Sequence, residues 1–126
     1  KKFSTKQTSA NKSIANHHGG CIRVGDYVYG SSSGTLACVD LKTGKEMWRE
    51  RSVGKGSIVV VDSKIILRSE SGPIALVELN PQTFNQISKF DQPNRSRARA
   101  WPHPVVSNGV LYIRDQDILL AYNLKK

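Results

Sequence analysis

The sequence predicts an all-β fold in which four-stranded antiparallel sheets repeat along the chain. Short apolar runs alternate with turns rich in Gly, Asp, Asn, Ser and Pro, as expected of strands joined by hairpins. No segment shows the 3.6-residue periodicity of an amphipathic helix. The pattern recurs about every 40 residues with four strands per unit, which is typical of a β-propeller blade. We therefore predict an incomplete propeller of about two and a half to three blades.

The predicted units superpose in sequence without gaps inside the strands. Two sets of positions align, each with offsets of 38 and 45 residues: Tyr29 with Leu67 and Tyr112, and Asp40 with Glu78 and Asn123. Two landmarks that share the same pair of offsets indicate a repeat. The longer second interval is explained by extra residues within 91–100. The predicted boundaries are residues 1–16 for a polar basic tail or linker, and 17–53, 54–92 and 101–126 for the units.

The first unit holds four predicted strands, at residues 21–24, 27–30, 35–41 and 46–50. Gly25-Asp26 is a two-residue turn of the hairpin kind. In the turn at 42–45, Gly44 is free to take a positive φ. We expect the carboxylate of Asp40 to accept backbone N–H bonds from this turn, as in an Asx-turn. Trp48, on the returning strand, is expected to pack against the next blade.

The later units repeat this arrangement with different turn residues. The predicted strands are 57–61, 64–68, 74–79 and 84–90 in the second unit, and 105–106, 110–114 and 118–122 in the third. The turns between them fall at 62–63, 69–73, 80–83, 107–109 and 115–116. The third unit lacks a fourth strand. Because propellers close with about four to eight blades, we expect the chain to be the C-terminal part of a larger protein. Assembly with other copies and strand exchange with a partner remain open.

The charge of the chain is concentrated away from the predicted strands. The formal net charge is +9, and the excess positive charge lies in residues 1–16, 95–99 and 125–126. Residues 1–16 are too polar to fold by themselves. No recognised nucleic-acid-binding motif accompanies the basic residues, and no apolar run reaches the roughly 20 residues of a membrane span. We therefore favour solvated ends over a nucleic-acid interface.

The chain has two cysteines, Cys21 and Cys38. Two are too few for a disulfide scaffold, and their spacing fits no zinc motif. Both fall in strand-like runs, so we expect small buried apolar side chains. A disulfide remains open if the two residues lie on neighbouring strands.

One eleven-residue motif connects the repeat to a known family. Cys38, Asp40, Gly44 and Trp48 occupy the pattern Ala-x-Asp-x-x-x-Gly-x-x-x-Trp, with Cys38 in place of the small Ala. The sequence thereby resembles the pyrroloquinoline-quinone-type (quinoprotein-like) β-propeller repeat family, which includes outer-membrane assembly scaffolds, secreted propeller proteins and dehydrogenases. The second unit departs from the motif, with Ile87 near the Trp position.

The resemblance implies a non-catalytic binding or scaffold module with protein partners, in the periplasm or outside the cell, and without a cofactor. The alternative is part of a pyrroloquinoline quinone (PQQ)-dependent dehydrogenase. Such an enzyme holds PQQ and calcium, with Glu, Asn and Asp side chains as calcium ligands. Its active site would then lie in blades outside this sequence. No catalytic residue and no metal ligand is assigned here.

Three histidines and two arginines are candidates for a ligand site at the channel mouth. His17, His18 and His103 precede the first strands of the first and third units. They form either a polar or metal-binding cluster or a set of loop caps that bond to backbone carbonyls. Arg68 and Arg114 occupy matched positions and are expected to pair with a carboxylate across a blade interface or to line the channel.

The loop before the third unit is the candidate polyanion contact. Arg95, Arg97 and Arg99 alternate, so they share one side if the loop is extended, and Trp101 could add stacking. The other interpretation is a solvated loop whose arginines pair with acidic side chains. The run Asp115-Gln116-Asp117 is acidic, but we attribute it to turn formation rather than to metal binding.

Overall fold

A computed structural model describes residues 2–125, which form eleven strands and no helix. The strands are β1 (Cys21–Val24), β2 (Tyr27–Ser32), β3 (Thr35–Asp40), β4 (Glu46–Arg51), β5 (Gly56–Val61), β6 (Lys64–Ser69), β7 (Ile74–Glu78), β8 (Gln86–Phe90), β9 (Val105–Ser107), β10 (Val110–Asp115) and β11 (Ile118–Asn123). Residues 2–125 contain no helix long and apolar enough to cross a membrane.

The strands form three separate antiparallel meanders, β1–β4, β5–β8 and β9–β11. The prediction of an all-β, incomplete propeller is therefore confirmed, with each predicted strand matched by one in the structure. Neighbouring sheets approach each other at their early strands, because β5 contacts β1 and β2 of the first sheet and β9 of the third. The strands β1, β5 and β9 consequently form the inner side of the arc, with β4 and β8 on its outer side.

The structure corrects one of the two repeat landmarks. Asp40 and Glu78 pair with Tyr27 and Lys64, the first residues of β2 and β6, so that landmark is confirmed. The β6–β7 hairpin, however, contains one residue more than β2–β3. The extra residue lies in the connecting turn, so Tyr29 is equivalent to Ile66 and not to Leu67. Alignment without gaps could not reveal it, because apolar residues occupy both positions.

Each interface between sheets has an apolar cluster, formed by the residues of each strand that point to the same face. The first interface buries Tyr29, Leu36, Cys38, Trp48, Ile58, Ile65, Leu67, Ala75 and Val77. The second buries Ile66, Ile74, Leu111 and Ile113. The middle sheet thus contributes both of its faces, which explains the near-continuous apolar runs in β5 to β7.

Trp48 belongs to the first interface and lies against the second sheet. Its side chain is buried, its indole Nε1 donates to the carbonyl of Asn80 at 2.8 Å, and its ring centroid is 5.5 Å from that of Phe84. The indole therefore joins the two sheets by both packing and a hydrogen bond.

The two cysteines are both free thiols, and they differ in burial. Cys38 is fully buried, whereas Cys21 is exposed, so the expectation of burial is wrong for Cys21. Cys21 pairs with Gly30 and Cys38 with Tyr29, which are adjacent in β2. The thiols therefore point to opposite faces of the sheet, and a disulfide between them is excluded.

Part of the segment expected to be a polar tail lies on the outward face of the first sheet. Ser9 Oγ donates to the carbonyl of Leu41 (3.2 Å), Asn11 Nδ2 donates to the carbonyl of Gly44 (2.7 Å), and Ser13 Oγ donates to Glu46. Ile14 packs over Gly30, where an added Cβ would lie 2.5 Å from Ile14 Cγ2. Contacts to a folded sheet order this segment, and composition alone does not show them.

Candidate functional site

The candidate site lies at the end of the blades where the inner strands begin, which we call the mouth end. This end also carries the β2–β3, β6–β7 and β10–β11 turns, because each sheet is an antiparallel meander. The segment that joins β8 to β9, residues 91–104, crosses the same end. The sequence-predicted histidines and arginines meet here from three separate parts of the chain.

Glu70 is the centre of the mouth end, in the turn after β6. Its carboxylate accepts a hydrogen bond from Trp101 Nε1 (3.1 Å) and forms salt bridges with Lys55 (3.2 Å) and Arg99 (3.5 Å). Its carbonyl accepts from the backbone N–H of Ala100 at 2.9 Å. Burial by itself raises the pKa of Glu70, but the hydrogen bonds from Lys55 and Trp101 outweigh it and lower the pKa. Glu70 therefore stays ionised and holds the indole of Trp101 in place.

The three predicted histidines are brought together around Trp101. The ring centroid of His18 is 4.5 Å from that of Trp101 and 3.8 Å from that of His17. His103 Nε2 lies 2.8 Å from the carbonyl oxygen of His18, and His17 Nδ1 lies 3.3 Å from Lys55 Nζ. For His103 this contact is the loop cap that we gave as the alternative. No group of three potential metal ligands occurs in residues 2–125.

An open groove of about 710 Å³ lies beside this aromatic cluster. It is lined by His18, Arg99, Trp101, Pro102, Arg114, Gln116 and Asp117. Its walls are tied together, because Arg114 Nε donates to the carbonyl of Gln116 at 2.7 Å and Gln116 Nε2 donates to that of Arg99 at 3.3 Å. The β10–β11 turn is thereby connected to the segment that carries Trp101.

Arg68 lies fully buried between the second and third sheets. Its Nη1 donates to the carbonyl of Arg114 (2.5 Å) and its Nη2 donates to Gln92 Oε1 (3.0 Å). Gln92 Nε2 in turn donates to the carboxylate of Asp115 at 2.9 Å, and Ser96 donates to Asp115 through both its N–H and its hydroxyl. The expected pairing with a carboxylate across the interface is therefore indirect, through Gln92.

The charges of this buried network influence each other. Burial lowers the pKa of Arg68, and the charge of Asp115 opposes that change. The hydroxyl of Ser96 is the main cause of a lowered pKa at Asp115, and the charge of Arg68 adds to it. Asp115 is thus the counter-charge of Arg68. Arg114 occupies the matched position on the third sheet, where it is exposed and lines the groove.

The arginine loop does not have the predicted geometry. The backbone bends at residues 97–98 and Arg95 folds back to donate to the carbonyl of Ala98, so the loop is not extended and the arginines do not share one side. Arg95 packs over Gly72 and donates to the carbonyl of Ala98, Arg97 is exposed, and Arg99 pairs with Glu70. The alternative interpretation, pairing with an acidic side chain, describes Arg99.

The hydrogen bonds predicted for Asp40 are present in the structure. Its Oδ1 accepts the N–H groups of Lys42 (3.0 Å) and Thr43 (2.8 Å) and the hydroxyl of Thr43 (2.9 Å). Gly44 has a φ of +72°. The hydrogen bonds from Thr43 are the main cause of a lowered pKa at Asp40. This turn lies at the opposite end of the blade from the groove, so its role is structural.

Sequence reasoning did not identify Glu70, Lys55 or Gln92. Each is a single polar residue in a turn or linker, with no motif around it. No local sequence signal indicated them. Glu70, which accepts the hydrogen bond from Trp101 Nε1, lies 31 residues earlier in the chain.

Comparisons with known proteins agree with this fold. Residues 2–50 match the family described as outer membrane protein assembly factor BamB. BamB from Moraxella catarrhalis superposes with a TM-score of 0.66 at 19% identity, over 82% of this chain and 32% of that chain. A europium-containing methanol dehydrogenase superposes with a TM-score of 0.66 at 16% identity, over 97% of this chain and 24% of that chain. No curated protein matches the chain in sequence.

The chain therefore spans about a third or less of the length of these two structures. The family match and the two superpositions support a propeller of the PQQ-like type. An assembly factor and a dehydrogenase share this fold, so the fold alone does not select a function.

Proposed function

We propose that this segment of a PQQ-like β-propeller is a non-catalytic, protein-binding scaffold module of the bacterial cell envelope. The observation that carries the proposal is Trp101, which is 48% exposed at the rim of the groove and is held in place by Glu70. Tryptophan and arginine are the side chains most enriched at the energetic centres of protein interfaces. The envelope location is supported by the description of the matched family as an outer membrane protein assembly factor.

The partners in the ring are proposed to be the rest of a larger propeller or further copies of the chain. The free face of the third sheet supports this, because it exposes Leu119 (68%) and Val105 (55%) beside Tyr112. The equivalent face of each preceding sheet is covered by the next sheet. Light scattering on the purified chain tests it: a mass that is a multiple of 13.9 kDa and completes a ring indicates self-assembly.

The alternative is a piece of a PQQ-dependent dehydrogenase, which the fold of the methanol dehydrogenase favours. The residues of the mouth end do not fit a calcium and quinone site. Asp115 is buried and accepts hydrogen bonds from Ser96 and Gln92, and residues 2–125 hold no group of three potential metal ligands. Under this alternative, the catalytic residues would be supplied by other blades.

A titration of the complete propeller that contains this segment with PQQ and calcium separates the two proposals, because under the alternative the quinone site lies in other blades. The scaffold proposal expects no saturable, calcium-dependent change in the absorbance of PQQ or in tryptophan fluorescence. Saturable binding that requires calcium would overturn the scaffold proposal.

Protein binding is tested in cells that export the chain with a photo-crosslinking amino acid at Trp101. The matched control carries it at Ile87, which is exposed on the outer strand β8. We expect a discrete crosslinked protein from the position of Trp101 and none from that of Ile87. Equal crosslinking at both positions, or none at either, contradicts protein binding at the mouth end.

A further inference from the structure

A narrow cavity lies between the inner ends of the three sheets. Its lining comes from the segments that lead into β1, β5 and β9 and from the turn after β6, and it includes His18, Lys55, Ser57, Glu70, Ala100 and Trp101. No residue of β10 or β11 lines it. The cavity therefore does not depend on what covers the free face of the third sheet.

The repeat itself places three of these side chains around the cavity. His18, Lys55 and Trp101 each lie four residues before the inner-strand residue that pairs with Tyr29, Ile66 or Tyr112. They are equivalent positions of the three sheets, and all three line the same space. The cavity is thus built by the propeller geometry and not by an irregular loop.

The hydroxyl of Ser57 is a buried polar group that lacks a partner in the protein. Ser57 is 3% exposed, and among residues 2–125 its Oγ has no hydrogen-bond partner. Ser57 shares one face of β5 with Val59, which packs in the second interface, so its side chain points toward the third sheet. Ala100 and Trp101 line the cavity from that side.

A buried hydroxyl without a partner is costly, and in folded proteins the large majority of such groups bond to protein or to ordered water. Since no protein atom is available to Ser57 Oγ among the described residues, its partner has to come from inside the cavity.

The charges along the cavity disfavour an ion as that partner. The ammonium of Lys55 and the carboxylate of Glu70 both line it and form a salt bridge at 3.2 Å. An anion would be repelled by the carboxylate and a cation by the ammonium, so neither gains much from entering. A neutral molecule that both donates and accepts hydrogen bonds meets no such conflict.

The size of the cavity selects the smallest such molecule. The space open to the centre of a water-sized sphere is about 10 Å³, which is close to the least that one water molecule needs. An organic ligand does not fit in this volume.

We propose that this cavity holds one structural water molecule, which accepts a hydrogen bond from the hydroxyl of Ser57 and donates one to the carboxylate of Glu70. The water links strand β5 to the carboxylate that holds the indole of Trp101. Ser57 is thereby a positioning residue for Trp101. The proposal does not depend on the scaffold function.

A crystal structure at a resolution that shows ordered water tests the identity of the occupant. We expect one density peak within hydrogen-bond distance of Ser57 Oγ and of the Glu70 carboxylate. Crystals soaked in bromide and in rubidium are expected to show no anomalous signal at that peak. An empty cavity, or an anomalous signal from either ion, would overturn the proposal.

A solution experiment tests the link to Trp101. The rate at which the Nε1 proton of Trp101 exchanges with solvent is measured by NMR in wild type and in Ser57→Ala. Loss of the water weakens the hold of Glu70 on the indole, so we expect exchange to become about fivefold faster. Trp48 Nε1 donates to the Asn80 carbonyl, far from the cavity in the contact it makes, and its exchange rate should stay within about twofold of wild type.

Ser88→Ala is the matched control, because it removes an exposed hydroxyl from the outer strand of the same sheet. We expect it to leave both indole exchange rates unchanged. If Ser57→Ala leaves the Trp101 rate unchanged, or speeds Trp101 and Trp48 equally, Ser57 does not position Trp101 through a water and the proposal is wrong. The same conclusion follows if Ser88→Ala has as large an effect as Ser57→Ala.

Discussion

Replacing Asp115 with asparagine removes the counter-charge of Arg68 from the interface between the second and third sheets. Asp115 is 1% exposed and accepts hydrogen bonds from Ser96 N–H (2.7 Å), Ser96 Oγ (2.5 Å) and Gln92 Nε2 (2.9 Å). Asparagine keeps the shape of the side chain but turns one acceptor into a donor. At least one of these donors then loses its acceptor, and the buried guanidinium loses its compensating charge.

Two general magnitudes set the size of the effect; they describe the same loss and are not added together. A hydrogen bond to a charged group contributes about 1.5–3 kcal/mol, and removing one partner of a buried ion pair costs about 3–5 kcal/mol. The carboxylate of Asp115 reaches Arg68 through Gln92 instead of touching it, so the lower end of the second range applies. We expect Asp115→Asn to lower the free energy of unfolding by about 3 kcal/mol at neutral pH.

The pH dependence of the stability is a second, independent test of the same interaction. The pKa of Asp115 is lowered in the folded chain, mainly by the hydroxyl of Ser96. A carboxyl group with a lowered pKa stabilises the fold above its unfolded pKa and loses that contribution as pH falls through the folded value. The difference in stability between wild type and Asp115→Asn is therefore expected to be largest near neutrality and to shrink in acid, below the ordinary range of aspartate.

Urea unfolding followed by tryptophan fluorescence and by circular dichroism measures this effect. Asp117→Asn is the matched control, because Asp117 is exposed in the same turn and its replacement should change stability by no more than about 0.5 kcal/mol. If Asp115→Asn also stays within about 0.5 kcal/mol of wild type, or if its deficit does not depend on pH, Asp115 is not the counter-charge of Arg68.

Three further predictions concern the first sheet. Trp48→Ala should destabilise the chain by about 3–5 kcal/mol, because it empties the interface with the second sheet and leaves the Asn80 carbonyl without its donor; an unchanged melting temperature would show that the indole does not join the sheets. Gly30→Ala should displace Ile14 and make residues 9–14 more sensitive to protease, since the new Cβ would lie 2.5 Å from Ile14 Cγ2; equal cleavage rates would contradict docking of this segment. Cys21 should react with iodoacetamide in the native chain, whereas Cys38 should react only after unfolding, because burial raises its pKa to about 11; mass spectrometry of tryptic peptides reads both, and equal native reactivity would contradict the assigned burial.

Local features of the chain could be predicted from the sequence because they depend on neighbouring residues. Alternation and turn residues located every strand, and Asp40 followed by Gly44 specified a turn closed by side-chain and backbone hydrogen bonds. The period of about 40 residues and the eleven-residue motif at 38–48 together led to the prediction of a propeller. The insertion of one residue in the β6–β7 hairpin escaped notice, because apolar side chains serve both faces of the middle sheet.

The mouth end could be predicted in part. The placement of His17, His18 and His103 at equivalent points of the repeat indicated that they lie at one end, and the structure brings them together. The extended geometry predicted for residues 95–99 was wrong, because the backbone bends at residues 97–98 and no local sequence signal indicated that bend.

The sequence by itself determined the strands and their order within each sheet, since these follow from periodicity and turn chemistry. Only the tertiary structure decided the partners of the buried charges. Arg68 and Arg114 hold matched positions in the repeat, yet the first is buried under the next sheet and the second lines an open groove. The physical reason is that the environment of a side chain on a sheet face is set by whatever packs on that face, and that sheet comes from a distant part of the chain.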